Sequence, residues 1–392
     1  MDDIKIKRLN TCIKNRVNFI SGTVSPAQSN KTKSNVKVEH NVNDIELLDI
    51  GVKYMFNMYN KHQKTLTLSV QPKYMGSRLN MYLFKNDHLS KSYCITRNGF
   101  VCHVNIDVII NEMHNRLNKF MEDNKIKMII IDGELLPWSL LGKGLIEHEF
   151  LPVDKGLETE IELMEKYDFD SQLVKIKLSD EKYKIKDSKY LHDLTTTKSL
   201  YKTYNEQMKL YAGDKPISYK PFGILKIVYD DNTESIPLLD NKYSQSEMYT
   251  ILHDKTDLID QMVIEITEEN FDESLKQIKS YFNKLTIDEG YEGIVFKPDY
   301  VLLGLLPMMK CRNTSYLTII YGYDYMIEPK LSRLIENKTT ANKIKQSIKD
   351  FELGMEMLKI KYDDIKDSDE YKKIIMKYLY NEEIGEKLDP RL

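Results

Sequence analysis

The sequence lacks any hydrophobic run long enough to cross a membrane. A transmembrane helix needs about 20 consecutive apolar residues, and no stretch of the 392-residue chain approaches that length. Residues 1–5, which include Asp2, Asp3 and Lys5, do not have the pattern that begins a secretory signal. We therefore expect a cytoplasmic protein that makes no contact with a membrane.

Cysteine is also scarce. The chain has Cys12, Cys94, Cys102 and Cys311, and no two of them have CxxC spacing. The spacing therefore does not favour a zinc site, and we interpret the four side chains as reduced thiols.

An excess of one charge is missing too, since the formal net charge is −3. Global electrostatics thus do not indicate a nucleic-acid-binding protein, although a local basic groove remains compatible with this balance.

The chain is long enough for two or three structural units. Its composition, 41% hydrophobic and 30% charged, is that of a globular protein. The first part is polar and irregular, which is typical of a linker or a loosely attached arm. The pattern predicts an arm at 1–44, a core at 45–325 with a helical insertion at about 140–212, and a helical C-terminal module at 326–392.

The hydrophobic pattern predicts an α+β core. Strands are expected near 66–70, 79–85, 92–97, 101–106, 128–131, 219–230, 262–267, 292–297 and 315–321. Helices are expected near 45–56, 107–122, 157–167, 198–211 and 272–285, and throughout the tail after Tyr325.

A candidate nucleophile stands at the end of the first predicted strand. This is Lys73, in the motif KYMGSR at 73–78. A lysine is a poor nucleophile while it is protonated, and burial or neighbouring cations favour loss of the proton. Suitable cations are Arg78, Lys297, Lys310 and Arg312, if the fold brings them together. A KxxG motif alone is usually a surface lysine, so this interpretation depends on the other motifs.

Two further residues suit a nucleoside. Glu134 follows the apolar run 128–131, and a carboxylate at the end of a buried strand needs a partner such as a ribose hydroxyl. An ordinary strand-end acid that faces solvent is the alternative. Asp132, in the same motif, is as readily a turn residue. Phe222 follows Pro221 and precedes an apolar strand, where it is a candidate for stacking on a purine. A phenylalanine of the hydrophobic core is the alternative.

The remaining candidates suit a metal and phosphates. Glu292 and Lys297 stand at odd spacing, so they point to opposite faces unless a strand end intervenes. Lys310 and Arg312 share one strand face, a geometry suited to a polyphosphate, although a solvated pair of cations is the alternative. Such groups suit nucleotidyl transfer, in which Mg²⁺ and basic residues polarise ATP and pyrophosphate leaves in line with Lys73.

These motifs resemble those of the covalent nucleotidyltransferases, which include DNA ligases, RNA ligases and mRNA capping enzymes. More narrowly, they resemble the ligase (adenylyltransferase) module of bacterial polynucleotide kinase-phosphatase RNA-repair enzymes. The resemblance runs from about residue 45 to the end. It rests on KYMGSR at 73–78, ELLPWS at 134–139, EGIVFKP at 292–298, KCR at 310–312, YLTIIYG at 316–322, FELGME at 351–356 and DPRL at 389–392.

The resemblance implies a fold, cofactors and residue roles. The fold would be an ATP-grasp-like nucleotidyltransferase core of antiparallel sheets with helices, and the cofactors ATP and Mg²⁺ or Mn²⁺. Lys73 would become lysyl-AMP, and Glu292 would bind the metal. The nucleotide-binding residues would be Arg78, Arg97, Glu134 (ribose), Phe222 (adenine), Lys297 and Lys310 (phosphates) and Arg312.

The same resemblance implies an ATP-dependent RNA ligase of RNA repair. Such an enzyme transfers AMP to an RNA 5′-phosphate and seals that end to a 3′-OH. The implied partners are RNA with broken ends, such as a tRNA, and a 3′-terminal RNA ribose 2′-O-methyltransferase needed for sealing. A GxxxxGK[ST] motif and a phosphatase metal signature are lacking, so a separate kinase and phosphatase would heal the ends.

Met75, which stands where most of the superfamily has aspartate, is part of the resemblance to this narrower module. Gly133 and Gly223 depart from it, because bulkier residues are common in the family at these positions. A DNA ligase or a GTP-using capping enzyme is the enzymatic alternative, but both normally add a small β-barrel after the Lys310 motif. A non-catalytic scaffold that binds RNA or a partner and retains the ligase fold is the other alternative.

Overall fold

The computed structural model describes residues 3–18, 23–26, 46–141, 144, 146–178, 191–211, 215–253, 261–328, 330–336 and 340–388. The strands are β1 (Thr23–Val24), β2 (Leu66–Lys73), β3 (Ser77–Phe84), β4 (Tyr93–Thr96), β5 (Ile126–Leu136), β6 (Ser218–Tyr229), β7 (Glu234–Ser235), β8 (Met262–Ile266), β9 (Gly293–Pro298) and β10 (Met308–Arg312). The α-helices are α1 (Asp3–Lys14), α2 (Leu48–Tyr59), α3 (Asp107–Asp123), α4 (Leu151–Lys166), α5 (Phe169–Leu178), α6 (Leu194–Tyr211), α7 (Pro237–Asp240), α8 (Gln245–Leu252), α9 (Phe271–Asn283), α10 (Thr314–Tyr321), α11 (Lys330–Glu336), α12 (Thr340–Lys359) and α13 (Asp369–Leu388).

The strands form two five-stranded sheets. The first sheet has the strand order β1-β10-β9-β2-β8, and the second has the order β4-β3-β5-β6-β7. Neighbouring strands pair antiparallel, except that β1 runs parallel to β10. The predicted α+β class with antiparallel sheets is therefore confirmed.

Helices α2 and α9 cover one face of the first sheet. Leu66, Leu68 and Val70 of β2 point into this core together with Phe56 of α2 and Ile278 of α9. Successive residues of a strand face opposite sides of a sheet. The alternate residues of β2 therefore face away from the helices, and they end at Lys73.

Different helices pack on the two faces of the second sheet. Helices α3 and α8 cover one face, where Leu79 of β3 packs with residues of both helices. On the other face, Tyr82 and Ile130 belong to a core shared with Phe351 of α12 and Tyr371 of α13. The C-terminal helices therefore cover only part of this face, and the remainder is left to the cleft described below.

The helices of the insertion and of the tail lie where the sequence predicts them. Helices α4, α5 and α6 stand between β5 and β6, and the regular structure described after Tyr325 is helical. No helix in the described part of the chain is long and apolar enough to cross a membrane. The exact domain boundaries stay a prediction, and residues 389–392 lie outside the described part.

Two predicted strands are wrong. Residues 315–321 lie in helix α10, whose first turn is capped by the Asn313 side chain accepting from the Tyr316 amide at 2.7 Å. A short apolar run does not by itself distinguish a strand from a buried helix, and α10 is buried on two sides through Leu317 and Ile319. Of residues 101–106, only Val101 forms an isolated β-bridge.

The prediction of an irregular, loosely attached N-terminal arm is also wrong for its described residues. Residues Asp3–Lys14 form α1, and Cys12 and Val17 are fully buried in the core shared with α12 and α13. Residues Thr23–Val24 form the edge strand β1 of the first sheet. The polar stretch 29–35 lies outside the described residues. Packing against distant helices, rather than local propensity, stabilises α1.

Candidate active site

The uncovered faces of the two sheets enclose a cleft of about 690 Å³. The first sheet contributes β2, β9 and β10, and the second contributes β3, β5 and β6. The lining residues are Thr23, Gln71, Pro72, Lys73, Tyr74, Gly76, Ser77, Arg78, Thr96, Arg97, Asn98, Phe100, Asp132, Glu134, Trp138, Leu141, Phe222, Val295, Lys297, Met308 and Lys310. All the predicted site residues except Glu292 and Arg312 are among them.

Lys73 lies at the end of β2 and is paired with a buried carboxylate. Its Nζ is 2.9 Å from Oε1 of Glu292 and donates to the Tyr74 carbonyl O at 3.5 Å. The Lys73 side chain is 22% exposed, whereas that of Glu292 is 3% exposed. The amine is therefore reachable from the cleft, and the carboxylate stands behind it.

Glu292 reaches Lys73 because it precedes β9. The strand begins at Gly293, so the alternation of faces within β9 does not apply to Glu292. The Glu292 carbonyl O accepts from the Asn313 amide at 2.8 Å and from Asn313 Nδ2 at 3.0 Å. Helix α10, which Asn313 caps, therefore fixes the backbone that carries the carboxylate.

Arg78 is held in place by Asp132. Arg78 Nε donates to Oδ1 at 2.9 Å and Nη2 donates to Oδ2 at 2.7 Å, and Asn80 Nδ2 also donates to Oδ1 at 2.8 Å. Burial disfavours the charge of Arg78, but Asp132 outweighs this and raises the pKa of the guanidinium. Asp132, whose role the sequence left open, is thus the partner that orients Arg78.

Glu134 stands two residues beyond Asp132 on β5 and also lines the cleft. Burial raises the pKa of Glu134 to about 7, with Lys73 and Arg78 acting in the opposite direction and Glu292 adding to the rise. A carboxyl group that titrates near neutrality in a cleft is a common property of functional sites. Binding of ribose by Glu134 stays a prediction.

Lys297 and Phe222 are direct neighbours across the two sheets. Lys297 Nζ donates to the Phe222 carbonyl O at 3.1 Å and lies 4.9 Å from the centroid of its ring. Burial lowers the pKa of Lys297 to about 8, with Arg78 adding to the shift and Asp132 opposing it. The ammonium lies over one face of the Phe222 ring, and stacking of adenine on Phe222 stays a prediction.

Lys310 and Arg312 have different surroundings despite sharing a strand face. Lys310 lines the cleft, and burial, then Arg312 and Lys73, lower its pKa well below the usual value. Arg312 is 3% exposed and pairs with Glu46: its backbone amide donates to Oε2 at 2.8 Å and its Nε to Oε1 at 3.1 Å. Arg312 thus anchors β10 beside Lys310, and its contact with a nucleotide stays a prediction.

Gln71 was missed by the sequence analysis. It lines the cleft two residues before Lys73, is 1% exposed, and its Oε1 has no hydrogen-bond partner among the described residues. A chain of three hydrogen bonds fixes the orientation of the Gln71 amide. Gln71 Nε2 donates to Ser69 Oγ (3.0 Å), and Ser69 Oγ donates to Gln261 Oε1 (2.7 Å). Gln261 Nε2 in turn donates to the Ser246 carbonyl O (2.6 Å). A backbone carbonyl can only accept, so Gln261 must present its Nε2 to Ser246 and its Oε1 to Ser69. The Ser69 hydroxyl therefore donates to Gln261 and accepts from Gln71 Nε2, which leaves Gln71 Oε1 as the free acceptor of the amide.

Arg97 is exposed and lines the cleft with Asn98 from the turn after β4. Of the two glycines singled out in the sequence, Gly133 has a packing reason, because an added Cβ would lie 2.5 Å from Cζ of Tyr219. At Gly223 an added Cβ would meet nothing within 4 Å, so the structure offers no reason for that glycine.

The residues of the cleft fit a metal that arrives with its substrate. Among the described residues, no group of three His, Cys, Asp or Glu side chains could hold a metal ion. Mg²⁺ commonly binds one or two carboxylates and completes its coordination with substrate phosphates and water. Glu292 and Glu134 influence each other electrostatically and supply donors of this kind. Metal binding by Glu292 stays a prediction.

A cleft between two such sheets, with a lysine at its surface and cations around it, defines a nucleotidyltransferase of the ligase class. The chain belongs to the family described as PNKP adenylyltransferase domain, ligase domain, whose sequence profile matches residues 25–366. The family predicted from the motifs is therefore confirmed, and the protein is an enzyme of the adenylyltransferase type.

Solved structures agree with this assignment. A chain of a Pnkp1/Rnl/Hen1 complex is 26% identical, with a TM-score of 0.78 and coverage of 100% of both chains. A chain of a Pnkp1/Rnl/Hen1 RNA repair complex is 25% identical, with a TM-score of 0.79 and the same coverage. No curated protein matches the chain.

Proposed function

We propose that this protein is an ATP-dependent RNA ligase of RNA repair, which forms lysyl-AMP on Lys73. The observation that carries the proposal is the pairing of Lys73 with Glu292 in a cleft that Lys297 and Lys310 also line. The family supports adenylyl transfer, and the similarity to chains of an RNA repair complex supports RNA as the acceptor.

In the first step, Lys73 Nζ attacks the α-phosphorus of ATP. A P–N bond forms, the bond from the α-phosphorus to the bridging oxygen breaks, and pyrophosphate leaves with its electron pair. Lys297 and Lys310 are placed to neutralise the phosphates, which is the main requirement of nucleotidyl transfer. Glu292 is placed to take up the proton that Nζ loses. Mg²⁺ or Mn²⁺ bound with the triphosphate through Glu292 would add further charge neutralisation.

In the next two steps the AMP leaves the protein and the ends are joined. An oxygen of the RNA 5′-phosphate attacks the lysyl-AMP phosphorus. The P–N bond breaks, and Lys73 departs as the amine when Nζ regains a proton from the Glu292 carboxyl group or from water. The 3′-OH of the other RNA end then attacks the activated 5′-phosphate, and AMP is released. The proton of the 3′-OH must pass to a base or to water at this stage.

We infer that Gln71 selects ATP over GTP. Adenine carries an exocyclic amino group where guanine carries a carbonyl oxygen. Gln71 Oε1 is a buried acceptor without a hydrogen-bond partner among the described residues, and in this proposal it accepts from the adenine amino group. The guanine oxygen would bring a second acceptor to the same place with no proton between the two, which would disfavour the GTP-using capping enzyme.

The partners of the ligase follow from its relatives. Chains similar to this one occur in Pnkp1/Rnl/Hen1 complexes. We infer that a kinase-phosphatase supplies healed ends, and that a 3′-terminal RNA ribose 2′-O-methyltransferase is needed for sealing. RNA with broken ends, such as a tRNA, would be the substrate.

The alternatives of the sequence analysis are less well supported. The described residues after Arg312 contain helices α10–α13 and no strand, which disfavours the added β-barrel of DNA ligases and capping enzymes. A non-catalytic scaffold would not require Lys73 and Glu292 to remain paired at a cleft lined by further cations.

The direct test is incubation with ATP labelled at the α-phosphate and with Mg²⁺ or Mn²⁺. Denaturing electrophoresis would detect the adduct, peptide mapping would locate it, and GTP labelled in the same position would be the comparison. A label on Lys73 from ATP is expected. No label, with and without the methyltransferase present, would contradict the proposal.

Replacing Glu292 should impair metal-dependent adenylylation. We expect Glu292→Ala to slow adduct formation by about 10²-fold, a usual cost for losing one charged group that stabilises a transition state. The Mg²⁺ concentration that gives half-maximal rate should rise. The exposed Glu289, three residues upstream, provides the matched control Glu289→Ala. A Mg²⁺ titration identical to that of the unaltered protein would contradict metal binding by Glu292.

The pH dependence of adenylylation should be bell-shaped. The pKa of Glu134 is raised to about 7, so its carboxylate is lost as pH falls below that value. The pKa of Lys297 is lowered to about 8, so its cation is lost as pH rises above that value. A plot of kcat/KM for ATP against pH, which reports groups of the free enzyme, should show both limbs. Lys297→Arg should weaken the alkaline limb without abolishing it, because arginine stays charged, whereas Lys310, whose pKa burial also lowers, still titrates.

A further inference from the structure

Helix α1 contacts a turn that lines the nucleotide cleft. Arg97 and Asn98 of this turn line the cleft, and Gly99 follows them. The Gly99 amide donates to the Thr96 carbonyl O at 2.9 Å, which closes the turn. The helix and the turn are far apart in sequence, so their contact depends on tertiary packing.

Arg8 joins the turn to the C-terminal helix. Its Nη1 lies 2.5 Å from Oε2 of Glu382 in α13. On the other side, Nε donates to the Asn98 carbonyl O and Nη2 donates to Asn98 Oδ1, both at 3.4 Å. The planar guanidinium can serve both partners at once because its N–H groups point in fixed directions. Arg8 therefore bridges α13 and the residue beside Arg97.

A second contact, from the residue that directly follows α1, fixes the other end of the turn. Asn15 Nδ2 donates to the Gly99 carbonyl O at 2.8 Å. Gly99 has φ of +84°, and an added Cβ would lie 2.8 Å from Sγ of the buried Cys12. The turn thus needs glycine both for its backbone conformation and for its close approach to α1.

Helix α1 is itself held by α13. The hydroxyl of Tyr371 donates to the Val17 carbonyl O at 2.5 Å, and both residues are fully buried. Neither α1 nor α13 falls within residues 25–366, which match the family profile. These two helices therefore lie outside the matched residues and meet beside the cleft.

We propose that Arg8 and Asn15 are positioning residues, which fix the turn at 97–99 against α13 so that Arg97 and Asn98 present their contacts to the nucleotide. The inference rests on the proposed function, since it takes the cleft to bind ATP. It assigns a role to the segment that the sequence analysis left unplaced.

The test compares variants of the full chain. For Arg8→Ala, we expect the KM for ATP in adduct formation to rise about tenfold, as for loss of one charged hydrogen bond, with kcat little changed. Backbone hydrogen exchange at 97–99 should become faster. A lysine at position 8 can keep the ion pair with Glu382, but it cannot make both hydrogen bonds to Asn98. Arg8→Lys should therefore also raise the KM for ATP. Lys14→Ala, on an exposed residue of the same helix, is the control.

Each outcome decides the proposal. A KM and an exchange rate equal to those of Lys14→Ala would overturn it, and so would faster exchange with an unchanged KM. If Arg8→Ala does not fold, Arg8→Lys and Asn15→Ala decide by the same criteria. If the unaltered protein forms no lysyl-AMP, the proposed function fails. The rate of backbone hydrogen exchange at 97–99 in Arg8→Ala then decides by itself whether Arg8 anchors the turn.

Discussion

A protein with Lys73→Arg should form no detectable adduct with labelled ATP, a loss of about 10³-fold or more, as for removal of a nucleophile. Arginine retains a positive charge beside Glu292, so the electrostatic surroundings of the cleft change little. A guanidinium does not lose its proton in proteins and cannot act as the nucleophile. The measurement is the rate of adduct formation under saturating ATP and Mg²⁺. Lys73→Ala should have the same result.

Two controls make this prediction specific. Lys209 is exposed near the end of α6, and Lys209→Arg should label at the normal rate. Binding of ATP to Lys73→Arg, measured without chemistry, should persist, because Lys297 and Lys310 still line the cleft. A labelled Lys73→Arg protein would show that another residue is the nucleophile and would remove the basis of the mechanism.

Replacing Gln71 should change which nucleotide the enzyme uses. In Gln71→Met, the acceptor that we propose for the adenine amino group is gone while the side-chain volume is similar. We expect the preference for ATP over GTP, measured as a ratio of kcat/KM values for adduct formation, to fall by about 10- to 100-fold. An unchanged ratio in a variant that still forms the adduct would mean that Gln71 does not contact the base.

The relay behind Gln71 offers a sharper comparison. In Gln261→Ala, the Ser69 hydroxyl loses its acceptor and can rotate, so the Gln71 amide is free to turn its Nε2 toward the cleft. The preference for ATP should fall although residue 71 is unaltered. In Gln261→Glu, a carboxylate oxygen can still accept from Ser69 Oγ, and the preference should persist. Equal ratios in these two variants would contradict the relay.

The sequence predicted the parts of the site that stand in short motifs. Lys73, Arg78, Glu134, Lys297 and Lys310 each follow or lie in a strand with clear alternation, and the fold brings them to one cleft. Side-chain roles that depend on distant partners could not be predicted in this way. Whether a cation faces a ligand or a buried acid is decided by tertiary contacts.

Arg312 and Gln71 illustrate the limit. The spacing of Arg312 from Lys310 gave the correct strand face, but its partner Glu46 is far away in the sequence and lies before α2. Gln71 lies in β2, two residues before Lys73, and nothing in the sequence distinguishes it from an ordinary strand residue. Its importance comes from Ser69 and Gln261, and the latter follows a segment outside the described residues.

The N-terminal segment illustrates a second limit. Its apolar residues, such as Leu9 and Ile13, are few, and their packing partners lie in the C-terminal helices. A helix with one narrow apolar stripe and little intrinsic stability is hard to recognise from sequence, because most of its stabilisation comes from tertiary packing. The fold class, by contrast, could be predicted because its strands and longer helices carry their own periodic patterns.

The meeting of α1 with α13 has a consequence for how the enzyme is made. Ribosomes add about 5 to 20 residues each second, so roughly 20 to 70 s separate the synthesis of these two helices. Through that interval α1 has no α13 to pack against, and Tyr371 and Glu382, which hold Val17 and Arg8, do not yet exist. A growing chain can build both sheets of the cleft while the turn beside Arg97 still lacks its anchor. This side of the cleft therefore assembles only after α13 has been made.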